Sequence, residues 1–142
     1  MDGIAASLLC LVIGVSDGDT ITVRCGDHPQ ERIRLMEIDA PEKKQAYGQK
    51  ARQALSELVY GKQINIETSG HDRYQRTLAH LKLDDSDINR LMVKQGFAWC
   101  YRQYLKDLSC LDDEQHAKDQ HLGLWADADP IPPWAFRHSK KK

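Results

Sequence analysis

Three short stretches hold acids and arginines at spacings that suit phosphate chemistry. In "IRLMEIDAPE" an arginine and two acids, Arg34, Asp39 and Glu42, fall within one strand-like run, with Pro41 fixing the backbone between the last two. "SDGDT" adds Asp17 and Asp19, and "HDRYQR" adds Arg73 and Arg76 on a loop. Asp19 and Asp39 on two corners, with a backbone carbonyl near Pro41, supply hard oxygens of the kind calcium takes at about six to eight positions. Two such acids alone repel each other, and a metal between them offsets that cost. Arg34 and Arg76 are planar guanidiniums able to make paired hydrogen bonds to phosphate oxygens, and Glu42 is a further acid able to act as a base. A Lewis acid, a base for water and donors for developing charge are the parts that phosphodiester hydrolysis needs. A hairpin turn at "DGDT" and a set of surface ion pairs account for the same spacings without any chemistry.

Positioning these groups falls to a run of short strands. "SLLCLVIGVSDGDTITVRC" reads as two β-rich runs around an Asp17-Gly18 turn. A two-residue turn there pairs Ser16 with Asp19, Val12 with Val23 and Cys10 with Cys25, the last pair about 5 Å apart between α-carbons and so within disulfide range. A bulge at the turn would spoil that register, and free buried thiols fit as well. "ERIRLMEI" predicts a third strand, with Ile33, Leu35 and Glu37 on one face and Arg34, Met36 and Ile38 on the other. Helical spacing of Tyr47, Ala51, Ala54, Leu55, Leu58 and Val59, with Gly61 as a C-terminal stop, predicts a helix. "KQINIET" and "RTLAHLKL" are strands four and five, and "DSDINRLMVKQG" and "LDDEQHAKDQHLG" are two further helices. The expected fold is therefore α+β with a mainly β core: a five-stranded OB-type Greek-key barrel with three helices. The whole chain reads as one domain, with a core of about residues 8–125 and a proline-rich, then basic, tail over 126–142 that wraps the surface before fraying.

The formal net charge is -1 and the pI about 6.6, so no global basic field draws nucleic acid and any attraction for phosphate must be local. The apolar run "IAASLLCLVIG" falls short of the roughly 20 residues of a membrane span. It reads as a buried strand, with a truncated export signal as the rival, since the positive flank and cleavage pattern of a signal peptide are missing. Cys10, Cys25, Cys100 and Cys110 form no C-x-x-C pair and the six histidines no i,i+4 pair, which argues against a zinc site.

Taken in order, "SDGDTITV", "IRLMEIDAPE", "YGQKA", "DRYQRTLA", "DINRLMVKQGFAWCY" and "GLW" resemble the staphylococcal nuclease family, from about Leu11 to Trp125. The tail "IPPWAFR" is similar to that of secreted bacterial members. The resemblance implies an OB barrel and a calcium-dependent endonuclease acting on DNA and RNA with little sequence specificity, cutting the 5′ P–O bond to leave 3′-phosphates. It implies Asp19, Asp39 and the Ala40 carbonyl as calcium ligands, Asp17 as an outer acid, Glu42 as the group that orients or deprotonates water, and Arg34 and Arg76 as the phosphate clamp. Arg73, Tyr101 and Tyr104 are the candidate substrate contacts, ring stacking being tolerant of sequence. Packing between helices accounts for the two tyrosines equally well, and Trp99, Trp125 and Trp134 read as core or tail anchors. One departure is Gln75, where the family has glycine; a positive φ there would strain glutamine and tilt Arg76. A non-catalytic OB module that binds nucleic acid or protein is the rival, although such a module would be free to lose Glu42 or either arginine. A monomer without a membrane partner is expected. The family tail and the even cysteine count lean toward a secreted or periplasmic protein, while the lack of a visible signal peptide leaves a cytoplasmic home open.

Overall fold

The hairpin that carries Asp17 and Asp19 is built one residue out of the expected register. In the computed structural model, which describes residues 7–140, β1 (Ser7–Asp17) and β2 (Thr20–Arg24) pair antiparallel with Asp17 opposite Thr20, so the turn residues are Gly18 and Asp19. Two register shifts in β1, between Val12 and Gly14 and between Val15 and Asp17, bring Val12 back opposite Val23. An extra residue on one strand of a ladder bends and twists it, which suits a strand in a closing barrel. Beyond the shifts Cys10 and Cys25 form a disulfide, their α-carbons 4.3 Å apart. Ile4 to Ala6 at the head of the expected first strand, and the last two lysines of the tail, lie outside the described residues.

β3 (Glu31–Leu35) pairs with β2, Ile21 opposite Ile33. The expected strand does not run through to Ile38. Glu37 takes a left-handed φ of 67°, and β4 (Ile38–Asp39) resumes in a new direction against β8 (Trp99–Cys100). This corrects the expected alternation: Ile38 joins Ile33 and Leu35 in the core, and Arg34 is buried beside them. The left-handed residue is held by its own carboxylate, whose Oε1 accepts the N–H groups of Lys106 and Asp107 at 2.8 Å each while Oε2 meets His80 Nε2 at 2.9 Å. Those bonds fix a conformation that costs a non-glycine residue about 1–2 kcal/mol.

β5 (Gln63–His71) pairs with β1, and β6 (Thr77–Leu83) pairs with β5 and, in parallel, with β3. The order β3-β2-β1-β5-β6 therefore closes on itself, the five-stranded OB-type barrel that the strand pattern predicts, with the short β7 (Ser86–Asp87) added to β6. Cys10, Val12, Ile21, Val23, Ile33, Leu35, Ile64, Ile66 and Leu81 fill it. Each of the fully buried valines, leucines and isoleucines among them contributes about 1.5–3 kcal/mol.

Helix α1 (Gly48–Val59) packs Ala51, Leu55 and Val59 inward. α2 (Ile88–Lys94) is capped by Asp87, whose carboxylate accepts the Arg90 N–H. α3 (Cys110–Asp119) is tied to β8 by a Cys100–Cys110 disulfide and by buried Glu114, which accepts from the Cys100 N–H at 2.8 Å and from Arg102. Burial alone would raise the Glu114 carboxyl, but those donors outweigh it and hold the group below its usual range.

The tail departs from expectation. Residues after Pro132 form a fourth helix, α4 (Pro133–Lys140), with Pro133 at its first position, where a missing N–H costs nothing. Trp134 anchors it, its ring 5.5 Å from Trp99 and stacked on Tyr101 at 5.8 Å with 7° between planes. Trp99 and Trp125 meet at 4.5 Å in a second small core with Leu124 and Ala117, so the three tryptophans are core and tail anchors, as expected.

Candidate active site

One face of the barrel opens into a cleft of about 1160 Å³, and its lining brings together the groups singled out by type and spacing. Asp17 and Asp19 come from the β1–β2 turn, Arg34 from β3, Asp39 and Glu42 from β4 and the loop after it, and Arg73 and Arg76 from the loop between β5 and β6. Tyr101 and Tyr104 form another wall. Ala40 does not reach the lining; it is buried behind it, and its N–H donates to Asp19 Oδ2 at 2.7 Å.

Local backbone demands explain this convergence. Gly18 lets the hairpin turn press onto the far corner: a β-carbon there would sit 2.7 Å from the Ala40 β-carbon and 2.8 Å from that of Ala51. Within the turn, the Asp19 N–H donates to Asp17 Oδ1, a bond typical of aspartate in tight turns. The Leu35 N–H donates to the Asp19 carbonyl at 2.9 Å, which fixes the turn to the end of β3.

The acid corner is nearly dry. Asp39 is wholly buried and Asp19 only 6% exposed. Arg34 lies between them, its Nη2 3.3 Å from Asp39 Oδ1 and 3.4 Å from Asp19 Oδ2, while its Nη1 donates to the Leu35 and Ile38 carbonyls at 2.6 and 2.9 Å. Burial and the adjacent Asp19 carboxylate push Asp17 up to about 7. Burial, with Asp19 nearby, pushes Asp39 up to about 6 in spite of its arginine partners. Asp19 goes the other way: the Arg34 charge and several hydrogen bonds overcome its burial and hold it low. This corner thus holds more carboxylate than Arg34 neutralises.

Arg76 is held in the cleft from its own loop. Its Nε and Nη2 both lie 2.8 Å from Asp72 Oδ2, and its Nη1 is 3.4 Å from Thr20 Oγ1. Gln75 does adopt the strained conformation, with φ at 63°. Arg76 nevertheless stays aimed into the cleft, because Asp72 Oδ1 gathers the Tyr74 and Arg76 N–H groups and sets the loop. Arg73 lies over the Tyr74 ring at 5.9 Å, and Tyr101 meets Tyr104 edge-on at 5.0 Å. Tyr101 packs against α4 rather than between α2 and α3, and Tyr104 is half exposed at the cleft rim.

Two residues here carry no sequence-based expectation. Asp72 is one; its spacing of four from Arg76 is the signal that would have found it. The other is Arg137 of α4, whose guanidinium donates to Asp39 Oδ2 at 2.7 Å, Asp39 Oδ1 at 3.1 Å and Glu42 Oε2 at 2.7 Å. Reading the tail as irregular hid it.

The donors of this corner suit a hard cation. They are all oxygens, with no sulfur or imidazole among them, and Arg137 shows that the corner draws a positive group onto Asp39 and Glu42. Among the described residues no group of three or more acids, histidines or cysteines is arranged as a full metal cage, so a cation here would rest on few protein ligands and take the rest of its shell from water and substrate.

A family model described as "Staphylococcal nuclease homologue" matches residues 32–127. An "Uncharacterized endonuclease" of Haemophilus influenzae is 47% identical over 132 residues, covering 93% of this chain and 74% of the relative. An "Uncharacterized endonuclease" of Escherichia coli is 46% identical over 132 residues, covering 91% of this chain and 84% of the relative. A "Micrococcal nuclease" of Shigella flexneri is 38% identical over 141 residues, with 92% and 80% covered.

Proposed function

The chain belongs to the staphylococcal nuclease family and is a nuclease, and from that premise we propose that it is a calcium-dependent endonuclease that hydrolyses DNA and RNA with little sequence preference, breaking the 5′ P–O bond to leave 3′-phosphates. The observation that carries this reading is the meeting of Asp19, Asp39, Glu42, Arg34 and Arg76 in one cleft. Asp19 and Asp39 would hold the cation, with Asp17 behind them; the Ala40 carbonyl, which the resemblance implies as a further ligand, belongs to a residue set behind the cleft lining. Calcium, when bound, would neutralise these acids and polarise the phosphate.

The chain's own residues supply the rest. Glu42 is more exposed than Asp19 or Asp39 and lies at the cleft wall, where a carboxylate can take a proton from an attacking water. Arg76 is placed to donate to phosphate oxygens as charge builds on them, and Arg34, whose Nη atoms meet Asp19, Asp39 and the Leu35 and Ile38 carbonyls, would join it where those partners release it. Tyr104, half exposed at the cleft rim, offers a ring face and Arg73 a charge along the nucleic-acid strand, contacts that favour no particular base, while the Tyr101 ring is stacked on Trp134 and stands as part of the wall behind them. The cleft is assembled within one chain, which supports action as a monomer. The two disulfides support a secreted or periplasmic setting.

The test is Glu42→Gln. The variant should lose most hydrolysis while calcium and nucleotide binding stay nearly intact, since the base is removed and the ligands are not. Unchanged turnover would mean that water is activated elsewhere.

A further inference from the structure

Arg137 has no part in the chemistry just described, yet it makes the shortest ionic contacts in the cleft's acid corner. Its forked guanidinium spans Asp39 and Glu42, donating to both Asp39 oxygens and to Glu42 Oε2. Asp39 Oδ1 also accepts from Arg34. A carboxylate has about four lone-pair positions, so three of those on Asp39 are already engaged. The oxygens that Arg137 occupies are the ones a cation on Asp39, or a water on Glu42, must reach. A guanidinium at that distance also repels a dication by ordinary Coulomb interaction, strongly so in a buried setting.

The placement of Arg137 is built into the fold. Trp134 precedes it by three residues, so the two share one face of α4. Trp134 stacks on the Tyr101 ring, over which the Arg137 guanidinium also lies at 5.9 Å, and the Arg137 Nη2 is 3.3 Å from the Tyr101 hydroxyl. The chain leading into α4 is pinned too, by Gln45 Nε2 donating to the Ile131 carbonyl at 2.5 Å. Gln45 in turn accepts the Glu42 N–H through its Oε1, so the tail and the Glu42 loop are fastened to each other. Arg137 keeps about a third of its side chain exposed, which leaves it room to swing away without unpacking Trp134.

We propose that Arg137 is an internal competitor for the divalent cation: α4 straps its guanidinium across Asp39 and Glu42, and loading of the site requires Arg137 to let go. The apparent affinity for calcium is then the intrinsic affinity reduced by the fraction of molecules in which Arg137 is released. This rests on the calcium reading above.

Calcium binding measured by calorimetry on the intact chain tests it without reference to activity. Arg137→Gln should bind calcium about tenfold more tightly than the unmodified protein, the discount from a fully buried contact reflecting the exposure of the arginine. Arg137→Lys, which keeps the charge but loses the fork, should shift affinity in the same direction by less, and it serves if the glutamine variant fails to fold. Equal or weaker calcium affinity in a folded variant, with binding by the unmodified protein plainly measurable, would overturn the proposal while leaving the calcium reading in place. No calcium binding by any of the three proteins would overturn both.

Discussion

Arg76 is a loop residue proposed to meet a phosphate, and Asp72 holds its side chain in the cleft. The carboxylate takes the guanidinium on one oxygen and the loop's N–H groups on the other, so side chain and backbone are set together. If Arg76 donates to the transition state, Arg76→Ala should slow single-turnover cleavage by at least about 100-fold, the scale lost with one such donor. Calcium affinity should barely change, because Arg76 touches neither Asp19 nor Asp39 and reaches that corner only through Thr20. A rate within a few-fold of the parent would assign the donor role elsewhere. At this scale residue type and spacing singled out Asp19, Asp39, Glu42, Arg34 and Arg76 as a group, and all five line one cleft, while the role of each came only from the family resemblance. Arg137 was not among them, because an arginine in a proline-rich tail has no spacing relation to residues nearly a hundred positions away. Only the packing of Trp134 brings it to them.

Among the elements, the hairpin decides where the acids sit. Gly18 is packed so closely against Ala40 and Ala51 that even one methyl group must displace backbone. Gly18→Ala should therefore cost about 1–3 kcal/mol, the usual range for overpacking, seen as a lower urea midpoint at unchanged slope. Activity should fall as well, since Asp19 and Ala40 are joined across that contact. An unchanged midpoint would mean that the turn and α1 separate easily and that the corner is not held by this contact. β-rich runs around a turn predicted β1 and β2, alternation β5, helical spacing α1, and capping residues with a closing glycine α2 and α3, and each of these elements is present. The misses share one physical cause. The turn shifted by one residue, the break at Glu37 and the helical tail are each set by contacts with distant parts of the chain: Ala40 and Ala51 against Gly18, Lys106, Asp107 and His80 around Glu37, and Trp99 and Tyr101 under Trp134.

For the whole molecule, a net charge of -1 means that no broad field gathers substrate. The cleft itself mixes both signs, its arginines set against Asp17, Asp19, Asp39 and Glu42. Arg34 and Arg137 already cover part of that acid corner, so a phosphate entering the cleft meets paired rather than bare carboxylates. Closure leaves the five barrel strands without a long free edge, and the two disulfides restrain the unfolded chain. Among the described residues no helix is long and apolar enough to cross a membrane. The most direct measurement is degradation of single-stranded DNA by the purified protein in calcium, in magnesium and with a calcium chelator, beside Glu42→Gln. Substrate should be lost in calcium, the chelator should stop that loss, and Glu42→Gln should show none of it. Equal cleavage in the chelator, or full cleavage by Glu42→Gln, would contradict the proposed function.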